Sequence, residues 1–407
     1  MRIAVITSQF PPRWGGVGNG IHRQVEALAA RGHDIDIFTR ARDRGMAFPP
    51  LPDSVHVHEV GMLKLPMFFT TSFARRAVKR LLRLGKEFDV VHSHCNMSLL
   101  QKRHYWNIPW PIVSTMHGTW RGERSTITWR DATLSLESVN DLAVMWLSPM
   151  FDVYEDYALR YSNAALVECD LELAAVRARG VKNLHGRIVK LPAGIDTHAF
   201  RPENADPGAV AAAGADPDAP LVLFVGRLAA RKGAMDALEM FARVAPEHPD
   251  AHMLFVGGGP QERALRGRVR RLGFHDRVHL AGKVPDRTLR ALYASADVCV
   301  FPSYWEGQGL VPGEAMSSGT PCVAAEVGWV PEVITDGVNG WRFPPRDVAA
   351  GAEKLGRALS DDAARERAGA RARQDMVERH DWRFHIDRLE RLYEEVRADR
   401  KPPRNSI

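Results

Sequence analysis

A chain of 407 residues is too long for one ordinary core and predicts two domains, at roughly 100–200 residues each. Hydrophobic residues at 45% and charged residues at 26% exclude a disordered or collagen-like chain. A net charge of +6 is modest for this length and gives no argument for a nucleic-acid partner, so none is predicted.

The chain opens on Met1–Ser8, whose apolar run is too short for a signal peptide and predicts a strand at Ile3–Thr7. Ile21, Val25, Leu28 and Ala29 recur at helical spacing, and a strand at Ile35–Thr39 completes a βαβ start. Further strands are predicted at Val55–Val60, Val90–His92, Pro111–Met116, Ala165–Val167 and Arg187–Leu191, an alternation that favours a parallel sheet. Arg201–Pro220 is rich in Pro, Ala, Asp and Gly, which places a linker at 201–219, after a first domain at 1–200. A second series follows at 220–380, with strands at Leu221–Gly226, His252–Gly257, Val278–Ala281, Val298–Phe301 and Pro321–Ala324. Phe384, Leu389, Leu392, Tyr393 and Val396 then share a stripe, predicting a final helix within 381–398 before a frayed tail at 399–407. No stretch approaches the roughly 20 apolar residues of a spanning helix. Cys95, Cys169, Cys299 and Cys322 sit apart within apolar runs as buried thiols, consistent with the cytoplasm.

Three loops carry candidate chemistry. Pro11–Gly20 holds four glycines before a helix, but its spacing is not that of a dinucleotide fingerprint. Val225–Gly233 leads from a strand into a helix with Arg227, Arg231 and Lys232 at the turn, cations suited to a diphosphate at a strand's carboxyl end. In Pro302–Pro321 a glycine-rich turn feeds a helix starting near Leu310–Pro312. Glu306 and Glu314 bracket that helix start, placed to accept hydrogen bonds from sugar and ribose hydroxyls.

These motifs, with Ala29–His33, Val91–His94, Met116–Gly118, Leu191–Asp196 and Gly328–Glu332, resemble family 4 of the retaining glycosyltransferases (GT4) over nearly the whole chain. The resemblance implies an α/β chain of the GT-B fold: two Rossmann-like domains facing each other across a cleft, the C-terminal helix returning to the N-terminal domain. It implies transfer of a hexosyl unit from a UDP- or GDP-sugar to an acceptor hydroxyl, with no cofactor and no metal. Arg227 and Lys232 then hold the donor diphosphate, Glu306 the transferred sugar and Glu314 the ribose. Gly15, Gly16, Gly307, Gln308, Gly309, Leu310 and Val311 add donor contacts, Lys283 and Val284 meet the base, and His117 faces the donor sugar. His117, Glu306, Arg227 and Lys232 are the catalytic candidates, with no enzymic nucleophile. Ala193, Gln308 and Trp329 depart from the family's usual Asn, Phe and Gly.

Acceptors in view are a cell-envelope glycan, a lipid-linked saccharide or a small metabolite. An epimerase of the same fold and a two-lobed sugar-binding protein are the competing readings. Asp34-Ile35-Asp36 resembles a metal-binding DxD but lies in a strand, and His56/His58 and His92/His94 lack further ligands by spacing. Lys64–Lys86 carries seven basic residues and no acidic one, which suits either an anionic membrane face or the solvated side of a packed helix. Trp120, Trp129, Met145, Trp146, Met150 and Phe151 are predicted mainly as core, with an acceptor groove as the alternative.

Overall fold

The computed structural model describes residues 1–11, 16–43, 46–63, 69–95, 99–126, 149–182 and 184–399. Gly15, Lys64, Trp129, Met145, Trp146 and the tail from Arg400 lie outside these. The chain forms two compact units. One comprises Met1–Ser125, a second stretch that ends at Ala193, and the chain from His385 onward; the other comprises Gly194–Phe384 with a short piece beginning at Thr126.

The first unit is built on seven parallel strands in the order β3-β2-β1-β4-β5-β6-β7. They are β1 Arg2–Ile6, β2 Asp34–Arg40, β3 Val55–Val60, β4 Val90–His94, β5 Ile112–Thr115, β6 Ala164–Val167 and β7 Arg187–Lys190. Strands β1 and β6 read as apolar runs because both faces of a parallel sheet are covered, whereas β4 and β5 turn polar towards their carboxyl ends. Helix α1, Gly16–Ala30, buries Ile21, Val25 and Leu28, and α2, Phe69–Arg83, sets Phe73, Ala77, Val78 and Leu81 into the same unit's core. The C-terminal helix extends over Trp382–Ala398; in the first unit Leu389, Tyr393 and Val396 are buried, and Glu390 pairs with Arg31 and His33.

The second unit has six parallel strands in the order β10-β9-β8-β11-β12-β13. These are β8 Leu221–Val225, β9 His252–Val256, β10 Val278–Gly282, β11 Val298–Phe301, β12 Cys322–Ala325 and β13 Gly340–Phe343. The last was absent from the sequence reading: four residues beginning with glycine and followed by two prolines give no period-2 signal, yet its Trp341 and Phe343 complete the core. The segment read as a linker is folded here. It forms a short helix, Pro207–Ala212, capped by Asp206, with Val210 and Ala215 buried. The chain joins this unit at Gly194, where a Cβ would lie 2.5 Å from the Cα of Trp382. No helix among the described residues is long and apolar enough to cross a membrane.

Candidate active site

In each sheet the strand order reverses once, between β1 and β4 and between β8 and β11. Connections leave on opposite sides there, opening a crevice at the carboxyl ends of the strands where such sheets bind ligands. In the second unit the loops that meet at this crevice are the two that the sequence singled out. After β8 run Gly226–Gly233, and after β11 run Pro302–Gly309.

The two loops are locked together. The Tyr304 N–H donates to the Arg231 carbonyl at 2.8 Å. Gly233 has φ +67°, and a Cβ there would lie 2.2 Å from the Pro302 carbonyl oxygen, so only glycine permits this approach. Gly328 closes the site from a third loop: its φ is +55°, a Cβ would fall 2.9 Å from that of Glu306, and the Trp329 N–H donates to the Gln308 carbonyl at 2.9 Å. Trp329 itself, 1% exposed, packs edge-on against His380 with centroids 4.8 Å apart. The departure from glycine at 329 is thus accommodated by the core beneath the loop.

Within that frame Glu306 is 9% exposed and receives the Lys232 ammonium directly, with Arg231 Nη1 at 3.6 Å from its other oxygen. Burial alone would raise its carboxyl, but the Lys232 and Arg231 charges outweigh burial and hold it below the ordinary carboxylate range. Arg227 is exposed at the end of β8. The helix Leu310–Ser317 starts from Gly309 at φ +82°, which has no side chain to offer the first-turn N–H groups. Glu314 lies one turn in and accepts a hydrogen bond from the Tyr293 hydroxyl at 3.0 Å. Gly307 and Gln308 line the turn, with Gln308 buried, while Lys283 and Val284 follow β10, Lys283 exposed.

At the first unit's reversal β4 ends in a histidine ladder. His92 stacks on His94 at 4.5 Å between centroids, and His94 on His117 at 5.1 Å. His94 Nδ1 lies 2.8 Å from His117 Nε2, and His117 Nδ1 lies 3.1 Å from Glu168 Oε1. The carboxylate fixes one end of the ring: His117 donates from Nδ1 to Glu168, and its Nε2 faces His94 Nδ1. His92 bonds Thr115 at 2.6 Å and Tyr393 at 2.5 Å. Burial, then the charges of His117 and His385, push His92 down to about 3, so it is neutral at pH 7. These histidines serve one another, and Asp36 of the DxD is taken by His58 at 2.6 Å and Lys86 at 3.1 Å. Gly16 begins α1 and is exposed.

Comparison with known proteins places both parts of the chain in one family. The family model for glycosyl transferases group 1 matches residues 209–375, and that for Glycosyltransferase Family 4 matches residues 14–199. A D-inositol 3-phosphate glycosyltransferase of Xylanimonas cellulosilytica is 32% identical, the match covering 88% of this chain and 87% of that one. The chain belongs to the family 4 glycosyltransferases. The solved sucrose-phosphate synthase of Thermosynechococcus elongatus matches this glycosyltransferase at a TM-score of 0.80, with 24% identity over 98% of this chain and 99% of that one. An Anabaena protein crystallised with UDP and glucose gives 0.73, with 17% identity over 97% and 100%. Both likenesses establish the two Rossmann-like units of the GT-B fold.

Sequence reading of this glycosyltransferase missed the residues that hold the named ones. Tyr293 is fully buried, and its helical stripe reads as core until its hydroxyl is seen on Glu314. Glu155 and Glu172, both buried, reach the backbone N–H groups of Trp120 and Gly118, 35 and 54 positions away. No local spacing announces such contacts.

Proposed function

We propose that this glycosyltransferase moves a hexosyl unit from a UDP- or GDP-sugar to an acceptor hydroxyl with retention of configuration. The observation that carries this reading is the buried Glu306 carboxylate, kept ionised by Lys232 and Arg231 beside the uncapped start of Leu310–Ser317. A carboxylate there accepts sugar hydroxyls, while Arg227, Lys232 and the helix end take the diphosphate. Each charge-assisted bond is worth roughly 1.5–3 kcal/mol and a helix N-terminus about 0.3–1 kcal/mol. A departing diphosphate gathers negative charge as the glycosidic bond breaks, so the same groups favour the transition state over the ground state. Glu314, steadied by Tyr293, takes the ribose; Lys283 and Val284 meet the base; His117 contacts the transferred sugar. The leaving diphosphate accepts the acceptor's proton, which needs no enzymic nucleophile, cofactor or metal. A thermal-shift panel of UDP, GDP and ADP and their sugars, followed by donor hydrolysis without acceptor, tests the reading. One nucleotide diphosphate should raise Tm and its sugar should turn over; binding without turnover would refute it.

The acceptor is read from the basic helix. Phe73, Ala77, Val78 and Leu81 of α2 are buried in the core, so any membrane contact of this helix is made by its basic face. Arg75, Arg76, Lys79, Arg80 and Arg83 remain exposed, four of them lining a concavity of about 440 Å³ with Glu59. This face suits electrostatic docking on the anionic membrane surface that would present a lipid-linked or envelope acceptor, at the inner face of the membrane. Each basic residue near such a surface contributes about 1 kcal/mol. Anionic liposomes should therefore co-sediment the protein at low salt and release it as salt shortens the Debye length. Recruitment unaffected by Arg76→Glu with Arg80→Glu would exclude this face.

A further inference from the structure

Strands β5 and β6 are adjacent and parallel, with Thr115 opposite Leu166, so the chain leaving β5 at His117 emerges beside the chain leaving β6 at Glu168. The first chain turns sharply at Gly118, φ +93°. Between the two exits sits Glu172, 5% exposed, in the first turn of the helix Asp170–Ala178. Its Oε1 accepts the Gly118 N–H at 2.8 Å, and its Oε2 accepts the Glu168 N–H at 2.7 Å. The carboxylate of Glu168 in turn takes the Nδ1–H of His117 at 3.1 Å. Two residues on, the Trp120 N–H donates at 2.7 Å to Glu155, which the Arg179 guanidinium neutralises.

We propose that Glu172 is a positioning residue for His117: by accepting one backbone N–H on each oxygen, it clamps the turn that bears the imidazole to the residue that orients it. Gly118 and Glu168 are held by a single side chain, so the imidazole and its acceptor move together. A buried carboxylate is a costly way to tie two loops; burial, then the neighbouring Glu168 charge, pushes the Glu172 carboxyl well up. What it supplies that glutamine cannot is two acceptor oxygens facing two donors. Glutamine would set an NH2 group against one of the two N–H groups and open the clamp on that side.

The role rests on the proposed contact of His117 with the donor sugar, and two readouts separate the claims. The first is the 15N spectrum of histidine-labelled protein. In the wild type His117 should show a protonated Nδ1 hydrogen-bonded to Glu168, and Glu172→Gln should shift the ring nitrogen signals. The second is turnover. Because misplacing a group by ~1 Å costs up to about a hundredfold, Glu172→Gln should lower kcat about tenfold or more at little-changed donor KM. Glu172→Asp, which keeps the charge but cannot span both donors, should do the same and serves if the glutamine variant does not fold. His117 signals and kcat that stay at wild-type values in a folded variant would overturn the proposal. Should His117→Ala retain full kcat, the catalytic reading of His117 would fall, while the imidazole signals would still decide whether Glu172 positions it.

Discussion

Glu306→Gln is expected to lower sugar transfer by about ten- to a hundredfold for each hydroxyl the carboxylate holds, without weakening the free nucleotide diphosphate. The first part follows from charge-assisted bonds of roughly 1.5–3 kcal/mol at about 1.4 kcal/mol per tenfold. The second follows from geometry. Lys232 donates to Glu306, so the carboxylate engages the cation proposed to hold the diphosphate. Removing its charge frees that cation, and affinity for the nucleotide should stay level or rise. Because Lys232 and Arg231 hold the carboxyl below its ordinary range, Glu306 stays ionised from neutral pH down through that range. Any acid limb of transfer above about pH 5 must therefore come from another group. Calorimetric titration with UDP and GDP, set beside initial rates, checks the split; equal losses in binding and transfer would contradict it.

How far the sequence could be read depended on whether the deciding contact was local. The strand after each apolar run, the glycine turns and the cations after β8 all announce themselves within a few residues, because period and turn chemistry are local properties. The stretch 201–219 has the composition of a loop, and its short helix, with Val210 buried, packs against the helix Asp286–Ser295, a contact that no local pattern announces. The Lys64–Lys86 pattern fitted a membrane face or a solvated one, and the burial of Phe73, Val78 and Leu81 shows only that the helix packs its apolar side on its own core. At the site, each named carboxylate and cation was legible, but their coupling was not. Lys232 and Glu306 stand 74 positions apart, and Tyr293 and Glu314 stand 21 apart. The first pair exists only once β8 and β11 are neighbours, and the second only once the two helices flanking β11 pack together, which are facts of topology.

Lys232→Met should be the more damaging change at that site, and a second substitution should separate its two effects. It removes the cation closest to Glu306 and leaves a carboxylate, 8% exposed in its side chain, with Arg231 at 3.6 Å and a hydrogen bond from Ser303. Breaking a buried pair costs about 3–5 kcal/mol. The exposure of Lys232, 21% in its side chain, lets water recover part of this, so a loss nearer about 1–2 kcal/mol is expected. Nucleotide diphosphate binding should weaken about tenfold or more and transfer further still, since the departing phosphate loses its point charge. In Lys232→Met with Glu306→Gln the stranded charge is gone, so Tm should recover most of the loss while transfer stays at or below the lower single variant. Stabilities that add, with no recovery in the double variant, would mean that the two side chains are not coupled in solution. Because stability and activity are predicted to move in opposite directions, a general collapse of the loop could not imitate the result.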